Sequence, residues 1–199
     1  MAAAQARSAG ARVLLLEAGE KPGRKILISG NGRCNLLNVD GDDPSHYHGS
    51  QARFVRPALG SFPVQESLQF FEDLGIRTKQ EKRGRLFPQS DQARSVVDLF
   101  VDRIRRQGVQ LAWGTAATGL ERDEAGGFVV DCADGRRLHV PRVILCSGGV
   151  SVPKIGADDT GMRLVEGLGH SRTPLYPGLV ALESEDPWVR RMQGVRVWA

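Results

Sequence analysis

An acidic residue at the end of a short apolar run is the first feature of this sequence with a chemical use. The run Val13–Leu16 leads into Glu17 and lacks polar alternation, which is typical of a parallel strand buried on both faces. In a dinucleotide-binding unit, a carboxylate at the end of the second strand accepts hydrogen bonds from ribose hydroxyls. A strand-terminal glutamate that faces solvent is the alternative. The chain begins after the position of the glycine-rich turn that would distinguish the two.

A glycine-rich segment with basic residues follows over residues 23–35. Glycines let the backbone approach a ligand closely, and successive N–H groups can form an anion-binding nest. Arg24, Lys25 and Arg33 supply positive charge that suits a phosphate or a negatively charged reduced ring. The P-loop pattern GxxxxGK[ST] is absent, and an ordinary glycine turn with basic surface residues is the alternative interpretation.

A second apolar run delivers small residues at its carboxyl end. Val143–Cys146 is predicted to be another continuous apolar strand, and it leads straight into Ser147, Gly148 and Gly149. A cofactor that approaches the backbone closely requires small residues at the end of a buried strand. A tight turn into a loop is the alternative.

The elements that would position these residues follow from the spacing of apolar side chains. The clearest helix is Asp91–Gln107, which has apolar residues at helical spacing and Ser90 as its expected N-cap. Further helices are predicted over 1–9, over about ten residues from Pro63 and over 161–168, and strands over 12–17, 76–78, 86–87, 109–113, 115–122, 128–132, 138–140, 143–146 and 179–182. This mixture indicates an α/β fold with a β excursion.

Composition and charge exclude several classes of protein. The chain of 199 residues has 41% hydrophobic and 25% charged residues, as ordinary globular proteins do, and its apolar runs are far too short to cross a membrane. The net charge of +4 is scattered without interleaved aromatic residues, so no nucleic-acid partner is predicted. Cys34, Cys132 and Cys146 stand far apart and suit a reducing cytoplasm. His46 and His48 lack further ligands at recognisable spacing, so no metal site is predicted.

Five motifs, in this order, resemble one family. They are GxGRCN at 30–35, KRGRLFP at 82–88, GGxSxP at 148–153, LGH at 168–170 and PGLV at 177–180. Together they resemble the bacterial NAD(P)/FAD-dependent oxidoreductases of the aminoacetone-oxidase-like and flavin-linked bile-acid-reductase group. The resemblance covers nearly the whole chain, and its Gly-Arg-Cys-Asn segment is the most specific part.

The resemblance implies a Rossmann-type FAD-binding domain with three layers, a mostly parallel sheet and a β-meander. Residues 1–180 would form this domain without its first strand, and 181–199 would begin an inserted β-rich domain. Because the first strand lies centrally in the doubly wound order, we expect the chain to be an incomplete member that holds FAD weakly by itself.

The resemblance also implies a set of cofactor-binding residues. Glu17 would bind the adenosine ribose, and the backbone amide of Ala117 would face the adenine. The pyrophosphate and flavin would be approached by Arg24, Lys25, Gly30, Gly32, Arg33, Cys34 and Asn35, and Ser147, Gly148 and Gly149 would line the cleft. Cys34 is interpreted as a small residue packed against the cofactor rather than as a redox thiol. No side chain is assigned as a catalytic acid or base.

The expected function is an FAD-dependent oxidoreductase. Hydride would pass from NAD(P)H through FAD to an unidentified small-molecule acceptor, with the protein binding and orienting the ring. The oligomeric state stays open. The alternative is a non-catalytic remnant or interaction module that keeps the scaffold and no longer binds FAD well.

Overall fold

The computed structural model describes residues 1–49, 52–178 and 184–192. The helices are α1 (Ala2–Ser8), α2 (Arg24–Ile28), α3 (Arg56–Ser61), α4 (Val64–Asp73), α5 (Ala93–Arg106), α6 (Thr160–Glu166) and α7 (Pro187–Arg191). The strands are β1 (Leu14–Leu16), β2 (Leu37–Asn38), β3 (Thr78–Gln80), β4 (Arg85–Pro88), β5 (Gln110–Ala112), β6 (Ala117–Arg122), β7 (Phe128–Cys132) and β8 (Arg137–Val140). Among the described residues, no helix is long and apolar enough to span a membrane.

A parallel strand pair is joined by a long connection that ends in the helix α5. β1 pairs with β5 in parallel, and α5 precedes β5 in the connection. Ala4 of α1, Ile104 of α5 and Val109 form a buried cluster over this pair. The arrangement confirms the Rossmann-type α/β fold class. The expectation that this strand is buried on both faces is wrong, because Leu14 is 38% exposed and Leu15 and Leu16 are half-buried.

A second apolar cluster joins α4 and α5 to a small antiparallel sheet. The sheet has the order β2-β4-β3, and α4 and α5 pack near it through the buried residues Phe71, Ile76, Ala93 and Val96. Phe70, Phe71 and Phe100 add edge and tilted ring contacts. The helical spacing that predicted α4 and α5 therefore reports real buried faces. This second cluster also contains Cys34 of the glycine-rich segment, which is described below.

The predicted β excursion is an antiparallel meander of β6, β7 and β8. β7 has the bounds predicted for it, because its apolar residues Val129, Val130 and Cys132 are buried between turns rich in glycine and aspartate. A register shift separates Ala117 and Gly119 at the start of β6, which is where this sheet adjoins the end of β5.

The prediction of a strand over Val143–Cys146 is wrong. These residues belong to none of the described strands, and Ile144 and Leu145 are 63% and 41% exposed. A continuous apolar run becomes a strand only if a neighbouring strand takes up its backbone hydrogen bonds. No strand in the described part of the chain pairs with it, and β1 pairs only with β5 there.

One other prediction needs correction, and two lie wholly or partly outside the described residues. Ser90 is not the N-cap of α5, because the helix begins after Gln92, whose backbone amide donates to Ser90 Oγ at 3.4 Å. The predicted strand 179–182 falls on residues that are not described. Of the proposed second domain, only 184–192 is described, and it contains α7.

Candidate functional site

Glu17 lies at the carboxyl edge of the parallel pair, as the strand pattern predicted. Its amide donates to the carbonyl of Ala112 at 3.0 Å, and its own carbonyl accepts from the amide of Thr115 at 2.9 Å. The carboxylate accepts a 2.8 Å hydrogen bond from the Gly19 amide and stays partly exposed. Ala117 begins β6 two residues after Thr115. The structure therefore brings the expected ribose and adenine residues to one edge.

A basic pair, Arg24 and Lys25, opens α2 next to this edge. The Arg24 guanidinium lies against Gly19 and reaches the carbonyl of Ile155 at 3.5 Å. Lys25 Nζ donates to the carbonyl of Gly149 at 3.3 Å. Both side chains are exposed, and neither forms a salt bridge with a carboxylate among the residues that the structure describes. The pair thus presents positive charge that no described acidic group neutralises.

The glycine turn, Ser147 to Gly149, faces the basic pair. Gly148 has a φ of +82°, and a Cβ built on it would lie 3.1 Å from Lys25 Nζ, so only glycine allows this close approach without strain. Ser147 packs on the backbone of Gly161 in α6, leaving no room for a side chain there. The apolar segment before the turn is unpaired, and the turn itself lies against Lys25 and α6.

The Gly30–Asn35 loop has an unusual backbone. Gly30, Asn31, Gly32 and Cys34 all have positive φ angles, of 55°, 57°, 81° and 64°. A Cβ on Gly30 would lie 2.7 Å from both the Asn35 amide nitrogen and Cε1 of a phenylalanine ring on β4. Because left-handed backbone is costly for residues other than glycine, the surrounding structure must hold this loop in shape.

Arg33 of this loop forms ion pairs with carboxylates in the described part of the chain, unlike Arg24 and Lys25 of the basic pair. Its guanidinium donates to Glu81 through Nη1 (2.7 Å to Oε1) and Nη2 (3.3 Å to Oε2). Nη1 also lies 3.4 Å from Oδ1 of Asp91. The hydrogen bond from Arg33 lowers the pKa of the Glu81 carboxyl, and the hydrogen bond from Lys79 lowers that of Asp91. The hydrogen bond to Glu81 also raises the pKa of Arg33. Its charge is already paired in this structure.

Cys34 lies in the core beneath the loop. It is 5% exposed and packs in the same cluster as Phe71 and Val96. Burial raises the pKa of its thiol, which disfavours the reactive thiolate. The sequence interpretation of a small packed residue agrees with this position, but the surroundings that the structure gives it are protein side chains.

The remaining loop residues are placed differently. Asn31, Gly32 and Asn35 are exposed, so they present the outer surface of the loop while Cys34 and Arg33 face inward to protein partners. Sequence reasoning missed Glu81, Asp91 and the phenylalanine of β4 as partners of this loop. The signal available was the KRGRLFP motif at 82–88, which contains this phenylalanine and lies between Glu81 and Asp91 in the chain.

Two shallow hollows lie elsewhere on the surface. One of about 550 Å³ is lined by residues between α4 and β4, namely Glu72, Gly75, Arg77, Thr78 and Gln89. The other, of about 260 Å³, is lined by Asp43, Pro44, Ser45, Arg53 and Arg56. Neither includes a predicted cofactor-binding residue, so volume alone does not locate the candidate site. The features that define the candidate site are the strand edge, the basic pair and the glycine turn.

Residues 1–195 match the family described as HI0933-like protein Rossmann domain. The chain belongs to this family. The match confirms the resemblance inferred from the motifs and the Rossmann-type fold. The solved structure of Thermovibrio ammonificans THI4 shares the fold as well, with a TM-score of 0.52 at 10% identity, over 83% of this chain and 56% of that one.

Two curated relatives of this HI0933-like chain carry names of activities. A 3-dehydro-bile acid delta(4,6)-reductase of Clostridium scindens is 42% identical over 98% of this chain and 47% of its own length. A ribosomal RNA dihydrouridine synthase of Escherichia coli is 33% identical over 96% of this chain and 46% of its own length. The chain therefore spans about half the length of the curated relatives that it matches.

Proposed function

We propose that this chain is the FAD-binding part of a flavoprotein oxidoreductase. The observation that carries the proposal is the basic pair, which lies beside a left-handed glycine turn at the carboxyl edge of a parallel strand pair. Ligands of Rossmann-type sheets bind at that edge. Membership of the HI0933-like family and the named reductase among its relatives support the same conclusion.

The residues present fit the charged half of such a cofactor. Glu17 is available to ribose hydroxyls because one carboxylate oxygen bonds Gly19 and the group stays partly exposed. Arg24 and Lys25 have cationic heads without described carboxylate partners, which suits a pyrophosphate. The turn at Gly148 lets backbone and ligand approach closely. Ala117 offers a strand-end amide for the adenine.

FAD supplies hydride-transfer chemistry when bound, and the chain supplies binding and orientation. We propose that the exposed outer face of the Gly30–Asn35 loop contributes to the flavin end of the site.

The proposed electron donor is NAD(P)H, and the proposed acceptor is a small molecule. The Clostridium scindens relative is named as a reductase of a bile acid, which supports this class of acceptor. Mixing the FAD-loaded chain anaerobically with NADH and then with NADPH tests the donor. Bleaching of the visible flavin absorbance by one of them is expected. An unchanged spectrum with both would contradict this donor.

A double variant of the basic pair tests the cofactor site. Arg24→Met/Lys25→Met should weaken FAD binding at least about tenfold, because a hydrogen bond to a charged group contributes roughly 1.5–3 kcal/mol. The matched control Arg94→Met/Arg105→Met removes the same charge from exposed positions of α5 and should leave the Kd within about twofold, since distant surface charges are screened by salt. Equal losses in both variants would refute the assignment. If the parent chain binds no FAD, the remnant alternative replaces it.

A second candidate acceptor is RNA, and one surface feature favours it. Phe54 is 84% exposed, and its neighbours in the chain include Arg53 and Arg56, which are exposed as well. Exposed aromatic rings stack on unpaired bases, and neighbouring arginines bind the phosphates. The named ribosomal RNA dihydrouridine synthase among the relatives is consistent with such a partner.

Fluorescence anisotropy with a labelled single-stranded RNA tests this candidate. Phe54→Ala should weaken binding about fivefold or more, because stacking contributes about 1–3 kcal/mol per base. Arg56→Ala should reduce the salt dependence of binding. Lack of RNA binding by the parent chain, or binding that neither variant changes, would exclude this surface.

A further inference from the structure

We propose that Arg33 is a positioning residue that clamps the Gly30–Asn35 loop to the β3–β4 hairpin and to the start of α5. This inference rests on the proposed function, because the loop shape that it fixes is the one offered to FAD. It assigns to Arg33 a role different from a direct phosphate ligand.

The guanidinium has partners on three sides. Glu81, which follows β3, accepts both in-plane hydrogen bonds, and Asp91, which precedes α5, accepts a longer one. The face of the guanidinium stacks on the ring of Phe87 in β4, with 4.1 Å between Cζ and the ring centroid. A planar group with several fixed donors is needed for this combination, and lysine cannot reproduce it.

The two carboxylates are themselves held in place. Lys79 of β3 binds Asp91, and Arg85 of β4 lies 3.9 Å from Glu81. The clamp therefore contains three cations and two carboxylates drawn from separate elements. Networks of this kind fix geometry better than isolated surface pairs do.

The clamp acts on a loop that needs support. Asn31 and Cys34 occupy left-handed backbone, which is unfavourable for residues other than glycine. Cys34 anchors the loop from below by packing in the core, and Arg33 anchors it from the neighbouring position by its ion pairs. Both anchors leave Asn31 and Asn35 free at the surface.

A direct phosphate role fits these contacts poorly. An anion placed at Arg33 would lie close to the carboxylates of Glu81 and Asp91, and like charges at such distances repel. The two roles make opposite predictions for Glu81→Gln. If Arg33 binds the phosphate directly, the change frees its guanidinium and the variant binds FAD more tightly. If Arg33 is a clamp, the change loosens the loop and the variant binds FAD less tightly.

Amide hydrogen exchange measured without FAD tests the clamp first. The Cys34 amide donates to the carbonyl of Ser29 at 3.0 Å, and it should exchange at least about tenfold faster in Arg33→Lys and in Glu81→Gln, because local opening becomes easier. The control Arg94→Lys disturbs an exposed ion pair of α5 with Asp98 and should leave this amide unchanged. Unchanged exchange in both clamp variants would overturn the proposal.

The FAD dissociation constant provides the second readout. Arg33→Lys and Glu81→Gln should each weaken binding about tenfold, and the double variant should be little worse than either, because both remove one interaction. Tighter binding by Glu81→Gln would overturn the clamp in favour of a phosphate ligand. If the parent chain binds no FAD, the proposed function fails, and hydrogen exchange alone still decides whether Arg33 holds the loop.

Discussion

Truncating Phe87 should be one of the most damaging single substitutions in this chain. The side chain is 1% exposed in β4, with the Arg33 guanidinium over one side of its ring and the backbone of Gly30 in close contact with its edge. Replacing a buried phenylalanine with alanine removes its burial and leaves a cavity, which costs about 3–5 kcal/mol. That loss is a large share of the roughly 5–15 kcal/mol by which a domain is stable.

Thermal unfolding followed by circular dichroism measures the effect. For a chain of this size each kcal/mol shifts Tm by roughly 2–4 °C, so Phe87→Ala should lower Tm by about 6–20 °C. Phe54→Ala is the matched control, because the same atoms are removed from a ring that is 84% exposed, and its effect should stay within about 0.5 kcal/mol. Equal Tm values for the two variants would refute the claim that Phe87 links the Gly30–Asn35 loop to the sheet.

Three further predictions follow from the same region. Gly30→Ala should lower Tm more than Gly126→Ala does. Both glycines have positive φ, but of the two only Gly30 has protein atoms within 3 Å of the added Cβ. Equal decreases in Tm would show that backbone strain alone matters. A thiol reagent should label the exposed Cys146 well before the buried Cys34, whose raised pKa also suppresses the thiolate, and rapid labelling of Cys34 would contradict its place in the core. The carboxylates of the Arg33 clamp have lowered pKa values in the folded chain, so their contribution to stability is present above their unfolded pKa values and is lost as pH falls through the folded ones. Urea unfolding measured at decreasing pH should show that the free energy of unfolding falls less for Glu81→Gln than for the parent chain. Parallel falls in the unfolding free energy of the two proteins would count against the clamp.

The sequence predicted those elements whose periodicity reports a buried face. α4 and α5 were found because their apolar residues repeat at helical spacing, and β7 was found because a short apolar run stands between two turns; each of the three elements buries apolar residues. Glu17 was found from its place in the chain order, since a carboxylate directly after a parallel strand lies at the carboxyl edge of the sheet. Local pattern therefore sufficed wherever local burial determined the structure.

The partners of individual side chains could not be predicted in the same way. Arg33 was expected near phosphate, yet its carboxylate partners lie 48 and 58 residues further along the chain. Such pairing depends on how the β3–β4 hairpin docks, which no spacing within residues 23–35 records. The strand expected over 143–146 failed similarly, because strand formation depends on a neighbouring strand and not only on the apolar run itself.

Equilibrium titration of FAD into the purified chain tests the central claim most directly. The visible absorbance of the flavin should change with saturable one-to-one binding, and the change should reverse on dilution. The Arg24→Met/Lys25→Met variant should need at least about tenfold more FAD for half-saturation. A flavin spectrum unaffected by the parent chain, or equal affinity in parent and variant, would contradict the proposed FAD site at this strand edge.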